Sequence, residues 1–383
     1  MIDTIVLILP NNQFKVKDVN KFSPPFEEKR SKNNARFKYI YNPNKYQKQI
    51  AYYPRLTILQ QSFAMGSDSK LKIEFSVPKL LFGNNFVEID DYCFDLIINN
   101  LFKKLDDMAI YTSKNYLISA YVRKIDYSKN IILEKHISCS MLISELSKLN
   151  LNSRLDLTKT DYRNDGHAIV CHSNLFEIKI YDKVKDLEQG KKYGEKRNIE
   201  RSKQNFDLID MMNNKEIFPD VIRIEGRFSR IKLKSIFKKI NIESKLTFKE
   251  LFNQNLSREV LLHFFDQIKK NLHIMHFDLN DIDNLICNIK NQFPRAKSTK
   301  IMQIVGFINI VQKIGNRATR IELNIKDHQW YRIQKEIKEI ESDKKNHKFL
   351  AILDLENKLK EFKMIKISDL ENLKKCNDNI NIQ

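Results

Sequence analysis

An α+β fold, with a mostly antiparallel sheet, helices packed on one face and a mainly helical C-terminal region, is what this sequence predicts. Three observations predict it. Apolar and polar residues alternate with period two at several places in the first two-thirds of the chain. Helical patterns fall between those stretches, and from about Leu246 apolar residues repeat at three and four. With 383 residues, 42% of them hydrophobic, the chain can bury a large core.

Taken in order, strands are expected at 3–9 (DTIVLIL), 36–41 (RFKYIY), 55–60 (RLTILQ), 71–76 (LKIEFS), 117–126 (LISAYVRKID), 176–182 (FEIKIYD) and 220–229 (DVIRIEGRFS). Helices are expected at 91–107 and 139–150. The charged stretch 183–203 reads as a solvated loop running into a helix, with a basic arm on nucleic acid as its alternative. Beyond Leu246, TFKELFN, SREVLLHFFDQIKKNLHIMHF, IDNLICNIKNQF and KIMQIVGFINIVQKIG read as helices. ATRIELNI (318–325) reads as a late strand, and HQWYRIQKEIKEI as a helix. The amphipathic tail LENKLKEFKMIKISDLENLKK would pack on the body or bind a partner. Two domains are expected, 1–245 and 246–383.

Charge narrows the partner. Lys and Arg number 67 against 48 Asp and Glu, a formal +19, and an excess of this size favours a polyanion because neutralised phosphates release counterions. DNA, RNA and an anionic membrane surface all satisfy charge alone. No apolar run approaches the roughly 18 residues of a membrane span, and MIDTIVLILPNN reads as a strand rather than a signal peptide. Cys93, Cys139, Cys171, Cys287 and Cys376 are scattered without a CxxC pair. That usage suits a reducing cytoplasm and argues against a disulfide framework or zinc finger. Gly and Pro number 8 each, so long Gly/Pro linkers are not expected.

Side chains at i and i+2 share a strand face. In 71–76, Leu71, Ile73 and Phe75 point inward while Lys72 and Glu74 point out. In 176–183, Phe176, Ile178 and Ile180 point inward, opposite Glu177, Lys179, Tyr181 and Lys183. In 220–229, Ile222, Ile224 and Phe228 point inward, opposite Arg223, Glu225 and Arg227. Asp126 closes the strand YVRKID. For each strand alone, a polar face standing in water is the ordinary reading. If the strands are neighbours, one face gathers carboxylates, cations and a tyrosine. Carboxylates can hold Mg²⁺ or Mn²⁺, and the ion with nearby Arg and Lys would stabilise charge on a phosphorane-like transition state. A tyrosine phenolate could then attack a phosphodiester, provided a cation such as Lys183 or the metal favours ionisation.

At these residues the chain resembles the filamentous-phage gene II type of rolling-circle replication initiator. MIDTIVLILP is similar to that family's N-terminal strand, and IEFSVPKLLFGNNF (73–86) to its strand-plus-SPxKxLxGxN segment with a small gap. VRKID (122–126) resembles its RID strand end, with Lys124 in place of Arg. IYDKVKDLE (180–188) resembles the tyrosine segment, VIRIEGRF (221–228) an RxExR strand, and GFINIVQKIG and HQWYRI the C-terminal helices. The resemblance implies a catalytic nicking domain over 1–245 and a DNA-binding or accessory region over 246–383. It also implies strand-specific nicking of origin DNA, a 5′-phosphotyrosine link, and later rejoining without ATP. Tyr181 would be the nucleophile with Lys183 beside it; Asp126, Glu225 and Glu74 the metal ligands; Arg223 and Arg227 the phosphate holders. The two-histidine metal motif of many rolling-circle nickases is absent.

Other residues have competing readings. His172 and Glu177 are secondary candidates, and His172 reads first as a loop or core histidine. His273 and His276 share a helical face and read as core, as does Trp330, although Trp330 and Tyr331 could stack on a base. Tyr193 and Tyr121 are possible second nucleophiles. Without a GxxxxGK[ST] loop, unwinding would fall to a host helicase, and extension to a host polymerase, in the bacterial cytoplasm. Two alternatives stay open: a basic DNA-binding regulator with a structural tyrosine, and a metal-dependent nuclease that uses water.

Overall fold

A computed structural model describes residues 1–27, 36–41, 47, 51–63, 66–134, 137–149, 160–163, 166–196, 219–269, 274, 277–340 and 350–365. Its centre is a ten-stranded, fully antiparallel sheet. The strands are β1 (Ile2–Pro10), β2 (Phe22–Ser23), β3 (Arg36–Tyr41), β4 (Arg55–Phe63), β5 (Gly66–Ser76), β6 (Tyr121–Ile132), β7 (Thr160–Arg163), β8 (Ala168–His172), β9 (Phe176–Asp182) and β10 (Val221–Ser229). They lie in the order β2-β3-β4-β5-β1-β6-β10-β9-β8-β7. The α+β class with an antiparallel sheet and a C-terminal helical region is therefore observed. The seven strands expected in the first two-thirds of the chain are present except for their ends and one overrun.

That overrun is instructive. Residues 117–126 do not form one strand: Lys114–Ile118 is a short helix, capped by Ser113, whose Oγ accepts from the Tyr116 amide. The strand starts at Tyr121 and runs on to Ile132, so Asp126 lies in mid-strand rather than at an exit. Lys129 obscured the continuation, because it falls in the alternation of Ile125, Tyr127 and Ile131. Its ammonium is buried and paired with the buried Glu88 carboxylate, whose Oε1 also accepts from the Asn130 amide. A buried cation is tolerable only when paired and hydrogen-bonded in this way.

The sheet's inner face carries the core. Ile5, Leu7 and Leu9 of β1, Leu71, Ile73 and Phe75 of β5, and Ile222, Ile224 and Phe228 of β10 are all buried, each such side chain contributing about 1.5–3 kcal/mol of transfer free energy. Gly226 sits among them because a Cβ there would meet the Phe228 ring at 2.5 Å, so glycine lets that ring fold back across the strand. The helices α1 (Val77–Phe82), α2 (Phe94–Asp107), α3 (Lys114–Ile118) and α4 (Cys139–Ser147) precede β7 in the chain. α5 (Lys183–Lys196) follows β9, so the expected loop-then-helix begins directly as a helix; residues 197–203 of that stretch lie outside the described residues.

After β10 come α6 (Arg230–Lys239), α7 (Phe248–Leu251), α8 (Gln254–Lys269), α9 (Ile282–Gln292), α10 (Ser298–Glu322), α11 (Asp327–Glu339) and α12 (Leu350–Glu361). The division expected at 245/246 crosses one continuous core. Val122 N donates to Leu246 O and Phe248 N to Ala120 O, and Phe264 of α8 stacks on Phe228 at 5.1 Å. The same buried cluster runs from Met1 to Phe362. The described part of the tail packs on the body, with Lys358 Nζ donating to Ile132 O; residues 366–383 lie outside the described residues.

The late strand at 318–325 is not formed. Residues 318–322 end α10 and the chain then turns. Ile321 and Leu323, which supplied the apparent alternation, are about half exposed, whereas Asn316 and Thr319 are buried three positions apart, just after a kink at Gly315 that interrupts α10. Gly315 takes φ +86°, and a Cβ there would come 2.8 Å from Lys148 Cα. This close approach lets Asn316 donate to Lys148 O from both its backbone and side-chain nitrogens, fixing α10 to the end of α4. Trp330 is 2% exposed and packs on Phe307 at 5.3 Å, the expected core role.

Candidate active site on the outer face of the sheet

The register brings the predicted polar strands side by side. β9 pairs with β10 so that Tyr181 opposes Arg223, Lys179 opposes Glu225 and Glu177 opposes Arg227. β10 pairs with β6 so that Arg227 opposes Asp126 and Glu225 opposes Ser128. Cross-strand neighbours on one face sit about 5 Å apart at Cβ, within side-chain reach. The convergence that alternation suggested is thus built by two successive antiparallel pairings.

At its centre Tyr181 Oη donates to Glu225 Oε2 at 3.0 Å. Tyr181 is only 9% exposed, and burial pushes its phenol well above the ordinary range, with Glu225 adding to the shift and Arg223 opposing it. Lys179 Nζ lies 3.9 Å from Glu225 Oε1 and 2.9 Å from Glu177 Oε1. Arg227 grips Asp126 through Nε at 3.0 Å to both oxygens and through Nη2 at 2.7 Å, and stands 3.6 Å from Glu177. Burial, with Glu225 and Asp3 close by, pushes the Asp126 carboxyl up to about 7 against the opposing pull of those Arg227 bonds.

Arg223 is the inner cation. It is 2% exposed, and its Nη atoms donate to Asn85 O at 2.7 Å, Asn130 Oδ1 at 3.3 Å and Ser128 Oγ at 2.9 Å. Nη2 also lies 3.1 Å from Asp3 Oδ1, and Nε 3.6 Å from Glu225 Oε2. The guanidinium of Arg223, expected to hold a phosphate, faces the protein in this packing. Arg227, whose side chain is 42% exposed, keeps a path to a phosphate. Lys183 is fully buried, with Nζ donating to Asp186 at 2.9 Å and Asn85 Oδ1 at 3.3 Å and standing 5.7 Å above the Tyr181 ring. Burial, with Arg223 nearby, lowers its pKa.

The buried end of the site is roofed. Val221 and Phe86 pack with Ile365, and Ile132, Val184 and Leu187 lean on them. The Asn84–Glu88 segment is shaped by Asn84, whose Oδ1 accepts from the amides of Phe86 and Val87. It delivers Asn85 to Arg223 and Lys183. Sequence reading missed Asn85 as a site residue, and also Asp3, which a register shift in β1 between Ile2 and Ile5 turns to this face. Arg223 Nε is buried without a hydrogen-bond partner among the described residues.

Glu74 stands apart from the tyrosine, bound to Lys72 at 2.6 Å; against burial, Lys72 holds its carboxyl below the usual range. Asp126, Glu225 and Glu74 therefore do not close into one ligand set. Each is engaged by a protein cation, and among the described residues only Cys139, Asp182 and Asp220 bring three possible ligand atoms within 4.8 Å of one another. His172 ends β8 opposite Glu177, at the rim. Tyr121 starts the strand that carries Asp126 and is 45% exposed beneath the Arg230 guanidinium at 3.9 Å. The side chain of Tyr193, and His273 and His276, lie outside the described residues.

No helix among the described residues is long and apolar enough to cross a membrane. No family model matches the chain, and no curated protein or solved structure matches it either.

Proposed function

We propose that this protein is a rolling-circle replication initiator that nicks and rejoins origin DNA through Tyr181. One observation carries the reading: the Tyr181 hydroxyl donates to the Glu225 carboxylate at 3.0 Å, on a face where Arg223 and Lys183 supply buried positive charge. A phenol this far from its ionised form needs a base at the moment of attack, and a carboxylate at hydrogen-bond distance is placed to take the proton. Tyr181 Oη then forms a bond to phosphorus as the bond to O3′ breaks. The electron pair leaves with O3′, which takes a proton from solvent. Arg223 stabilises the developing phenolate and, on reversal, the departing one.

DNA would enter from the rim formed by Glu177, Lys179 and Arg227, the solvent-facing end of the cluster. Arg227 would exchange Asp126 for a phosphate there. Arginines and lysines already pair with these carboxylates, so proton transfer and charge stabilisation fall to the side chains themselves. Origin DNA, a host helicase and a host polymerase complete the proposal, in a bacterial cytoplasm.

The same burial of Tyr181 supports a second reading, a DNA-binding regulator whose tyrosine is structural. Denaturing gels separate the two. With origin-bearing single strands, the wild type should leave a covalent protein–DNA band, and Tyr181→Phe should lose it by at least about 10³-fold while keeping its Tm. An adduct that persists in Tyr181→Phe removes the nucleophile. Cleavage without any adduct points to water, and binding without cleavage to the regulator.

A further inference from the structure

Asn284 to Ile321 contain no Asp or Glu across 38 residues, where the chain's average frequency would place about five, and the same tract carries seven Lys and Arg. The fold makes this tract α9, a turn at 293–297, and most of α10. At the turn an open recess of about 710 Å³ is lined by Phe293, Arg295, Lys297, Thr299 and Lys300 among others, and every ionisable side chain in it is a cation. Lys300 lies over the Phe293 ring at 4.3 Å and reaches Glu336 of α11 at 3.4 Å. Arg295 and Lys297 are exposed and form no ion pair with a described residue.

α10 itself is sided. Ile304, Phe307, Ile308 and Val311 are buried against the neighbouring helices, and Gln312 donates to the carbonyls of Ile274 and Phe277. The opposite side carries Thr299, Gln303 and Met302, the last 71% exposed. Gly306 continues that side one turn on. A glycine inside a helix is less stable than alanine, yet a Cβ here would meet nothing within 4 Å. Internal packing therefore gives no reason for it, whereas close approach of another molecule does.

We propose that α9, the turn and α10 form a docking surface for duplex DNA. Thr299, Met302, Gln303 and Gly306 face the major groove, and Arg295 and Lys297 rest on backbone phosphates. A helix fits that groove, and in two-helix readers the N-terminal residues of the second helix meet the base edges. Gln and Thr can read such edges, and Met302 offers apolar contact to a thymine methyl. The inference rests on the proposed function only in taking DNA as the polyanion, and it does not depend on Tyr181.

The test is fluorescence anisotropy on a labelled duplex across a salt series. For Arg295→Gln/Lys297→Gln, the slope of log affinity against log salt should become shallower by about 2, at about 0.9 for each phosphate no longer neutralised. Gly306→Leu should keep or raise the Tm, since leucine is the better helix former, while duplex affinity drops at least tenfold. Wild-type affinity in Gly306→Leu, as a protein-docking face would give, overturns the proposal. So does an unchanged salt slope in the double variant. Adduct formation on short single strands should stay at the wild-type rate in both variants, which keeps this test separate from that of the nucleophile.

Discussion

Arg223 is 2% exposed and touches Asp3, Asn85, Ser128 and Asn130, whereas Arg295 and Lys297 stand in water with no described carboxylate beside them. The two sets of cations share a formal charge and little else. On the sheet, positive charge is desolvated and committed to fixed partners, which makes it costly to remove and worth more to a nearby developing anion. At the turn between α9 and α10, the charge of Arg295 and Lys297 is hydrated and uncommitted, so it adds little to folding and is open to a mobile polyanion. Net charge alone would have counted both alike.

The sharpest way to break this comparison is to neutralise one member of each set. Arg223→Gln strands Asp3 and Glu225, so it should cost about 3–5 kcal/mol in chemical denaturation, the scale for breaking one partner out of a buried pair. Arg295→Gln should stay within about 0.5 kcal/mol. Equal losses would show that exposure does not divide the cations. Next comes Glu225→Gln, which keeps an oxygen near Tyr181 but removes the proton acceptor. Single-turnover adduct formation should slow by about 10²-fold or more, with duplex binding through α10 unchanged. An undiminished rate would leave Glu225 a mere neighbour of the tyrosine.

The smallest effect concerns Asp126. Its folded-state carboxyl is pushed up to about 7, chiefly by burial, whereas an unfolded aspartate titrates near about 3.9. The folded chain thus holds a proton more tightly, and this contribution to stability is full below about pH 4 and lost as pH rises through about 7. Wild-type Tm should fall from about pH 5.5 to about pH 8 more steeply than that of Asp126→Asn. Parallel curves would mean that the three bonds from Arg227 outweigh burial.

Much of this was legible in the chain. Period-two alternation placed β3 and β9 at their observed bounds and sorted Tyr181, Glu225 and Arg227 onto one face, because a pleated strand leaves no other choice. What alternation could not supply was pairing order, and so it could not say that Arg223 would be sealed beneath Asn85. Asp3 was hidden because a register shift reverses the parity on which the sorting depends. Lys129 broke the pattern in β6, and only its distant partner Glu88 explains it. ATRIELNI satisfied strand and helix periods together, and the docking of Gly315 and Asn316 on Lys148 decided for helix. The acid-free tract needed no structure to be seen, but its sidedness did.

The roof over Arg223 is fastened from far along the polypeptide. Glu88 Oε2 accepts from the Ile365 amide at 3.0 Å, and Glu88 N donates to Ile365 O, a closure spanning 277 positions. Contacts of such separation form late, since a long loop must be closed before they reward it. A chain cut before Leu350 would still hold the tyrosine, the glutamate and both arginines on the sheet, yet leave their cover unlatched.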